Sequence, residues 1–259
     1  MPWIDVSDTD IYYLDAGAGQ SIVFLHGFSS CSEAWYQQFA VFSNGYRVIA
    51  YDSVNHGHSS NSPRDEPEPD RADELEGFLE ALNIDRPVLA ANSMGANTLL
   101  RWATRHPDSA AALIVSGMGV MSADAAQPAG RDPLPVENLY APVGESFTPQ
   151  FKDKQPLMLE RYFRIRSTAT RLEALRHPRR PAQKTMDERA TLSERVGRIT
   201  TPLFIIVGEL DRLRSAALRL HELQPKAVYH EIAGGPHNAY WEMPDRWNQP
   251  VADFLTQTL

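Results

Sequence analysis

The chain predicts an α/β fold: a mostly parallel, eight-stranded twisted sheet flanked by helices, with a helical lid inserted in its second half. Three observations predict it. Short β-rich runs of nearly continuous apolarity recur along the sequence, as expected of parallel strands covered on both faces. Amphipathic stretches separate these runs, and such strand-helix alternation implies a doubly wound sheet. Between residues 118 and 197 the alternation stops.

The first two segments, Trp3 to Val6 and Ile11 to Leu14, are joined by an Asp/Ser/Thr turn and read as an antiparallel hairpin at a sheet edge. Ile22 to Leu25, Arg47 to Tyr51, Pro87 to Ala91 and Ala112 to Val115 follow as core strands. Leu203 to Val207 and Ala227 to Ile232 complete the set. Helices are expected near Asp70 to Leu82, Ser93 to Arg105, Ser215 to Leu223 and Asp245 to Leu255. The interrupted region holds eight of the nineteen prolines, no convincing strand, and helical patterns near Leu157 to Leu175 and Met186 to Val196. These features divide the chain into a first core part (1–117), a lid or cap insertion (118–197) and a second core part (198–259).

Composition narrows the function. A chain of 259 residues with 42% hydrophobic and 22% charged residues supports one well-buried core. A net charge of -8 opposes a nucleic-acid partner, whose phosphates require a basic field. The single cysteine, Cys31, provides neither an internal disulfide nor a zinc-binding cluster. No basic region followed by an apolar stretch opens the chain, and no apolar run approaches the roughly 20 residues that span a bilayer. A soluble cytoplasmic protein with no membrane partner is the expectation.

The strongest chemical signal is Val88-Leu89-Ala90-Ala91-Asn92-Ser93-Met94-Gly95-Ala96. A buried strand runs directly into a helix with one serine at the corner and small residues at positions 91 and 95. Such a corner strains the serine backbone and exposes its hydroxyl. A plain helix N-cap would also account for Ser93 taken alone. Upstream, Ile22 to Leu25 ends in His26-Gly27-Phe28. Acyl transfer needs two preorganised N–H donors for the developing oxyanion, each contributing roughly 3 kcal/mol. The main-chain N–H groups of Phe28 and Met94 suit that role. His26 itself reads as a structural histidine that bonds the loop backbone.

On these residues the chain resembles the α/β-hydrolase superfamily, and within it the lidded esterase, lactonase and meta-cleavage-product hydrolase branch. The resemblance covers nearly the whole chain apart from the lid. Ala91 stands where the Gly-x-Ser-x-Gly pattern has its first glycine. Asp52-Ser53-Val54-Asn55-His56-Gly57-His58-Ser59 follows a second family pattern with Asn55 in place of a glycine, and Asn tolerates positive φ better than most residues.

The resemblance implies a Ser-acid-His triad. A serine hydroxyl needs a base, and imidazole, with an ordinary pKa near 6.5, is suited to the task. His237 follows the last strand on the glycine-rich loop Gly234-Gly235-Pro236, where the family's catalytic histidine lies. Asp211, in Gly208-Glu209-Leu210-Asp211, falls on the family's Gly-x-x-Asp and gives the chain order Ser, acid, His. Glu209 is its nearby rival.

Two substrate contacts are expected. Residues 150–184 carry ten Lys or Arg against three acids. Arg161 in that stretch is expected to face the cleft and attract a carboxylate, and Trp241, shortly after His237, to contact substrate. The expected partner is a small, mostly apolar molecule that can carry a carboxylate. No cofactor is expected, because both Gly-x-Gly-x-x-Gly after the first strand and the P-loop pattern are missing. No metal is expected either: His56 and His58, with Asp52 before them, lie two residues apart on a glycine turn without a third ligand at fixed spacing and read as loop residues.

The expected activity is hydrolysis of a small carboxylic ester or lactone through an acyl-enzyme. Carbon-carbon hydrolysis of a dienoate is the alternative within the same family. A ligand sensor with little turnover is the alternative from another class, although all three triad positions are filled.

Overall fold

The buried runs pair into a single eight-stranded sheet. A computed structural model describes residues 3–62, 67–121, 146–169 and 183–259. The strands are β1 (Trp3–Asp5), β2 (Asp10–Ala16), β3 (Ser21–Leu25), β4 (Arg47–Tyr51), β5 (Val88–Asn92), β6 (Ala112–Ser116), β7 (Leu203–Gly208) and β8 (Val228–Ile232). Their order across the sheet is β1-β2-β4-β3-β5-β6-β7-β8. β1 and β2 form the expected edge hairpin, with Trp3 opposite Tyr12, and β2 also runs antiparallel to β4. All remaining pairs are parallel.

The helices α1 (Tyr36–Phe42), α2 (Arg71–Ala81) and α3 (Met94–Arg105) lie between strands. α4 (Pro149–Lys154), α5 (Pro156–Ala169), α6 (Gln183–Ala190) and α7 (Leu192–Arg195) fall between β6 and β7, where the lid is expected. α8 (Arg214–Leu223), α9 (Ala239–Glu242) and α10 (Pro244–Thr258) complete the chain. The expected helix over 186–196 instead begins at Gln183 and breaks at Thr191. There the Thr191 hydroxyl hydrogen-bonds the Asp187 carbonyl, a local bond that competes with helix continuation. The expected helix over 157–175 is present to Ala169, and its last residues lie outside those described.

Because strand side chains alternate, the strands β3 to β7 each feed two cores. On one face Val23, Ile49, Leu89, Leu113 and Ile205 pack with Leu75 and Phe78 of α2, Leu99 of α3 and Leu220 of α8. On the other, Ile22, Phe24, Val48, Ala90, Ile114 and Ile206 meet Trp35, Trp247 and Leu255. Truncating a fully buried residue such as Leu99 to Ala should cost about 2–5 kcal/mol, through lost transfer energy and the cavity left behind.

α6 is fastened to the core by charge. Asp70 caps α2 by accepting the N–H groups of Ala72 and Asp73, each at 3.1 Å. Its carboxylate also meets the fully buried Arg101 guanidinium and the Thr185 hydroxyl. Arg101 and Arg105 both donate to Glu188 of α6, at 2.8 and 2.7 Å.

Candidate active site

Parallel strands deliver their C-terminal ends to one edge of the sheet, and ligand sites of such folds gather there. β5 occupies the middle, between β3 and β6, so its last residues are flanked by the loops that leave both neighbours. Ser93 follows β5 directly with φ 55° and ψ −113°, a left-handed backbone that a side chain rarely adopts. Its side chain makes no capping hydrogen bond to α3, so the N-cap explanation of this serine does not apply.

Gly95 permits the corner. A Cβ there would stand 2.5 Å from the Leu25 carbonyl oxygen and 2.8 Å from that of His26. α3 therefore begins against the end of β3, which carries the His26-Gly27-Phe28 loop to the serine. A Cβ on Gly27 would lie 3.4 Å from Ser93 Cβ. Met94 is the first residue of α3, where an N–H has no acceptor within its own helix.

His26 holds this loop in place. Its Nε2 accepts the Ser53 N–H at 3.0 Å, which leaves Nδ1 to donate to the Gly27 carbonyl at 2.8 Å. Burial lowers its pKa, only partly opposed by the nearby Asp52 carboxylate, and a neutral ring fits both bonds. Asp52 accepts the N–H groups of Ser32 and His58 at 2.7 and 2.9 Å, so it serves the turn. Asn55 has φ 68° and supplies the positive-φ position expected of it.

The candidate acid and base follow β7 and β8. A Cβ on Gly208 would come within 2.2 Å of the Gly235 carbonyl oxygen, so the two following loops run in contact. That approach brings Asp211 to His237: both carboxylate oxygens lie 2.9 Å from Nδ1. Asp211 is buried and also accepts the Leu213 N–H at 2.9 Å. The rival Glu209 is turned outward, where it accepts the Gly234 N–H at 2.7 Å. Gly117, after β6, has φ 57°, and a Cβ there would sit 3.2 Å from the His237 ring.

Ser93 and His237 line one cavity of about 90 Å³ together with Gly27, Phe28, Ser29 and Asn92. Its remaining walls are Ser146, Tyr162, Arg166, Arg212, Asn238 and Tyr240. The nucleophile and base candidates, together with both candidate oxyanion residues or their neighbours, thus converge on one space. Asp211 stands behind His237.

Neither of the two expected substrate contacts, Arg161 and Trp241, lines this cavity among the described residues. The Arg161 guanidinium lies 3.8 Å from the centre of the Tyr36 ring, an outward cation–π contact, and does not line the cavity. The cavity's arginines are Arg166 and Arg212. Arg166 stands four residues after Tyr162 and so shares its helix face, a spacing that the sequence offered. Trp241 is 1% exposed, edge-on to Tyr36 at 5.2 Å and Tyr162 at 4.9 Å. It supports the wall without forming it, and its neighbours Asn238 and Tyr240 reach the cavity instead.

Comparison with known proteins agrees with this architecture. Residues 22–249 match the family model described as "Alpha/beta hydrolase family". A 2-hydroxy-6-oxononadienedioate/2-hydroxy-6-oxononatrienedioate hydrolase of Paraburkholderia phymatum is 28% identical, over 95% of this chain and 91% of that protein. A putative non-heme chloroperoxidase of Synechocystis sp. is also 28% identical, over 98% of this chain and 100% of that protein. Among solved structures, Est816, described as an N-acyl homoserine lactone degrading enzyme, superposes with a TM-score of 0.80 at 24% identity, covering 98% of this chain and 100% of that one.

Proposed function

Because the chain belongs to the alpha/beta hydrolase family, we propose that it is a serine hydrolase acting on a small carboxylic ester or lactone, with Ser93, His237 and Asp211 as its triad. One observation carries this reading: a buried carboxylate centred on His237 Nδ1 leaves Nε2 as the basic nitrogen, in the cavity that the uncapped Ser93 also lines.

In the proposed cycle His237 Nε2 takes the Ser93 proton while Oγ attacks the substrate carbonyl carbon. The carbonyl π electrons move onto oxygen, and the N–H groups of Phe28 and Met94 hold the resulting oxyanion. On collapse the carbon–oxygen bond to the alcohol breaks, and the imidazolium returns the proton to that oxygen. Water, deprotonated by the same imidazole, then attacks the acyl-enzyme and releases the acid. Arg166 and Arg212 give the cavity a positive wall, which suits a carboxylate-bearing substrate.

Carbon-carbon hydrolysis of a dienoate is a second reading, favoured by the 28% identity to the dienedioate hydrolase of Paraburkholderia phymatum. A fluorophosphonate probe followed by peptide mapping tests the shared premise. Labelling at Ser93 that disappears in Ser93→Ala supports it, whereas a folded protein that takes up no probe refutes it. Turnover of p-nitrophenyl acetate set beside a dienoate ring-fission product then separates the two substrates.

A further inference from the structure

The cavity that Ser93 and His237 share has an unusual lining for a small-molecule site. Such sites are mostly walled by hydrocarbon, with a few polar groups for orientation. Here, among the described residues, Phe28 supplies the one hydrocarbon side chain, and every other side chain in the wall carries a hydroxyl, an amide, an imidazole or a guanidinium. No aspartate or glutamate lies among them. The wall is polar and positive, which fits a small polar anion better than the mostly apolar partner expected from the sequence.

The two arginines of this wall differ. Arg166 is engaged within the protein. Arg212 is exposed, and among the described residues it has neither a hydrogen bond nor an ion pair. The carboxylate nearest in sequence, Asp211, is withheld from it: that side chain is buried and occupied by His237 Nδ1 and the Leu213 N–H. Glu209, the other acid of this loop, is turned to the Gly234 N–H. The backbone under Arg212 is fixed on both sides, by the Asp211 N–H bonded to the Gly208 carbonyl at 3.1 Å and by the Arg214 N–H bonded to the Asp211 carbonyl at 2.9 Å. An unpaired guanidinium therefore lines the cavity from a fixed turn, one residue from the candidate acid.

We propose that Arg212 is the specificity-determining residue for a free carboxylate on the substrate, and that the substrate class is a short ester of a dicarboxylic acid or of a hydroxy acid in which one carboxylate remains ionised. The inference rests on the serine-hydrolase reading and narrows it. A guanidinium presents two parallel N–H donors to a carboxylate, and the pair gains strength as substrate displaces water from the cavity mouth. This carboxylate is not the reacting group and keeps its charge throughout the reaction, so the pairing is equally strong in the ground and transition states. It lowers KM without raising kcat.

The test measures kcat and KM by pH-stat titration for two pairs of esters, each an anion and a neutral analogue with a methyl ketone in place of the carboxylate. Monoethyl succinate beside ethyl 4-oxopentanoate puts the charge on the acyl side, and acetoxyacetate beside acetoxyacetone puts it on the alcohol side. The wild type should favour the anion in at least one pair. Arg212→Gln should raise KM for that anion about tenfold more than for its ketone, the equivalent of one charge-assisted hydrogen bond, and Arg212→Lys should recover part of the difference. Arg212 is exposed, so its replacement leaves the core packed. Arg161→Gln, which removes the same charge from a side chain outside the cavity wall, should leave the preference as it is. No preference for either anion, an equal effect of Arg212→Gln on both members of each pair, or the same loss in Arg161→Gln overturns the role of Arg212, while fluorophosphonate labelling at Ser93 leaves the triad standing. Wild-type protein that hydrolyses none of the esters and takes no fluorophosphonate on Ser93 removes the hydrolase reading and this inference with it.

Discussion

Nδ1 of His237 is equidistant, at 2.9 Å, from the two carboxylate oxygens of Asp211, so the acid fixes which ring nitrogen keeps its hydrogen. Asp211→Asn preserves the size of the partner but can present an amide N–H to Nδ1, favouring the other tautomer. Ester turnover should fall by about 10³ to 10⁴. Glu209→Gln, which alters only the outward bond to Gly234, should leave turnover near the wild-type value. Steady-state kinetics on the two variants checks the assignment, and a larger loss in Glu209→Gln would exchange their roles.

Removing Ser93 or His237 should cost on the order of 10⁴ to 10⁶ in turnover, with Ser93→Ala/His237→Ala barely worse than either single change. The double variant decides the point. Additive losses would mean that the two side chains act independently.

Gly117→Ala puts a methyl group on a residue with φ 57°, 2.7 Å from the Asn92 side-chain oxygen and 3.2 Å from the His237 ring. The imidazole must give way, so activity should drop by about tenfold or more for a stability loss of about 1–3 kcal/mol. Activity assays beside thermal unfolding separate the two effects. Full activity in Gly117→Ala would show that the ring is not held there.

The Asp70–Arg101–Glu188 cluster predicts a dependence of stability on pH. Burial opposes ionisation of Asp70, but the Thr185 hydroxyl, the Arg101 guanidinium and the Asp73 N–H outweigh it and hold its pKa well below the usual carboxylate range. Glu188 is lowered too, where burial is overcome chiefly by Arg105 and Arg101. A carboxylate whose pKa is depressed by folding binds fewer protons folded than unfolded, so its contribution is present in full above its unfolded pKa. It is lost as pH falls from about 4 toward the folded value. Asp70→Asn should flatten the acid limb of a denaturation curve, and an unchanged limb would exclude the cluster. Arg101→Met, which leaves two buried carboxylates without that partner, should destabilise by about 3–5 kcal/mol at neutral pH.

The core strands were legible because burial on both faces writes itself as unbroken apolarity, as in Leu203 to Val207. The serine corner was legible because close packing of a helix start against a strand end demands Gly95. Asn55 was readable for a related reason, its tolerance of positive φ. For Arg161 the sequence showed the charge but not the neighbour that the side chain would meet. In the structure Arg161 lies against the Tyr36 ring, and Arg166 of the same helix lines the cavity. For Trp241 the sequence could not separate two positions, because a large aromatic beside the His237 loop suits either a cavity wall or its backing. The choice depended on Tyr36 and Tyr162, distant in sequence.

The bond between the Ser146 carbonyl and the Asn238 N–H joins two backbones. Exchange of either side chain leaves it standing, with proline at position 238 the exception because it has no N–H to give. The cavity wall at Ser146 is thereby tied to the residue beside His237, the proposed base, through main-chain atoms. Substitutions at 146 and 238 other than proline at 238 can therefore reshape the cavity while this main-chain tie persists.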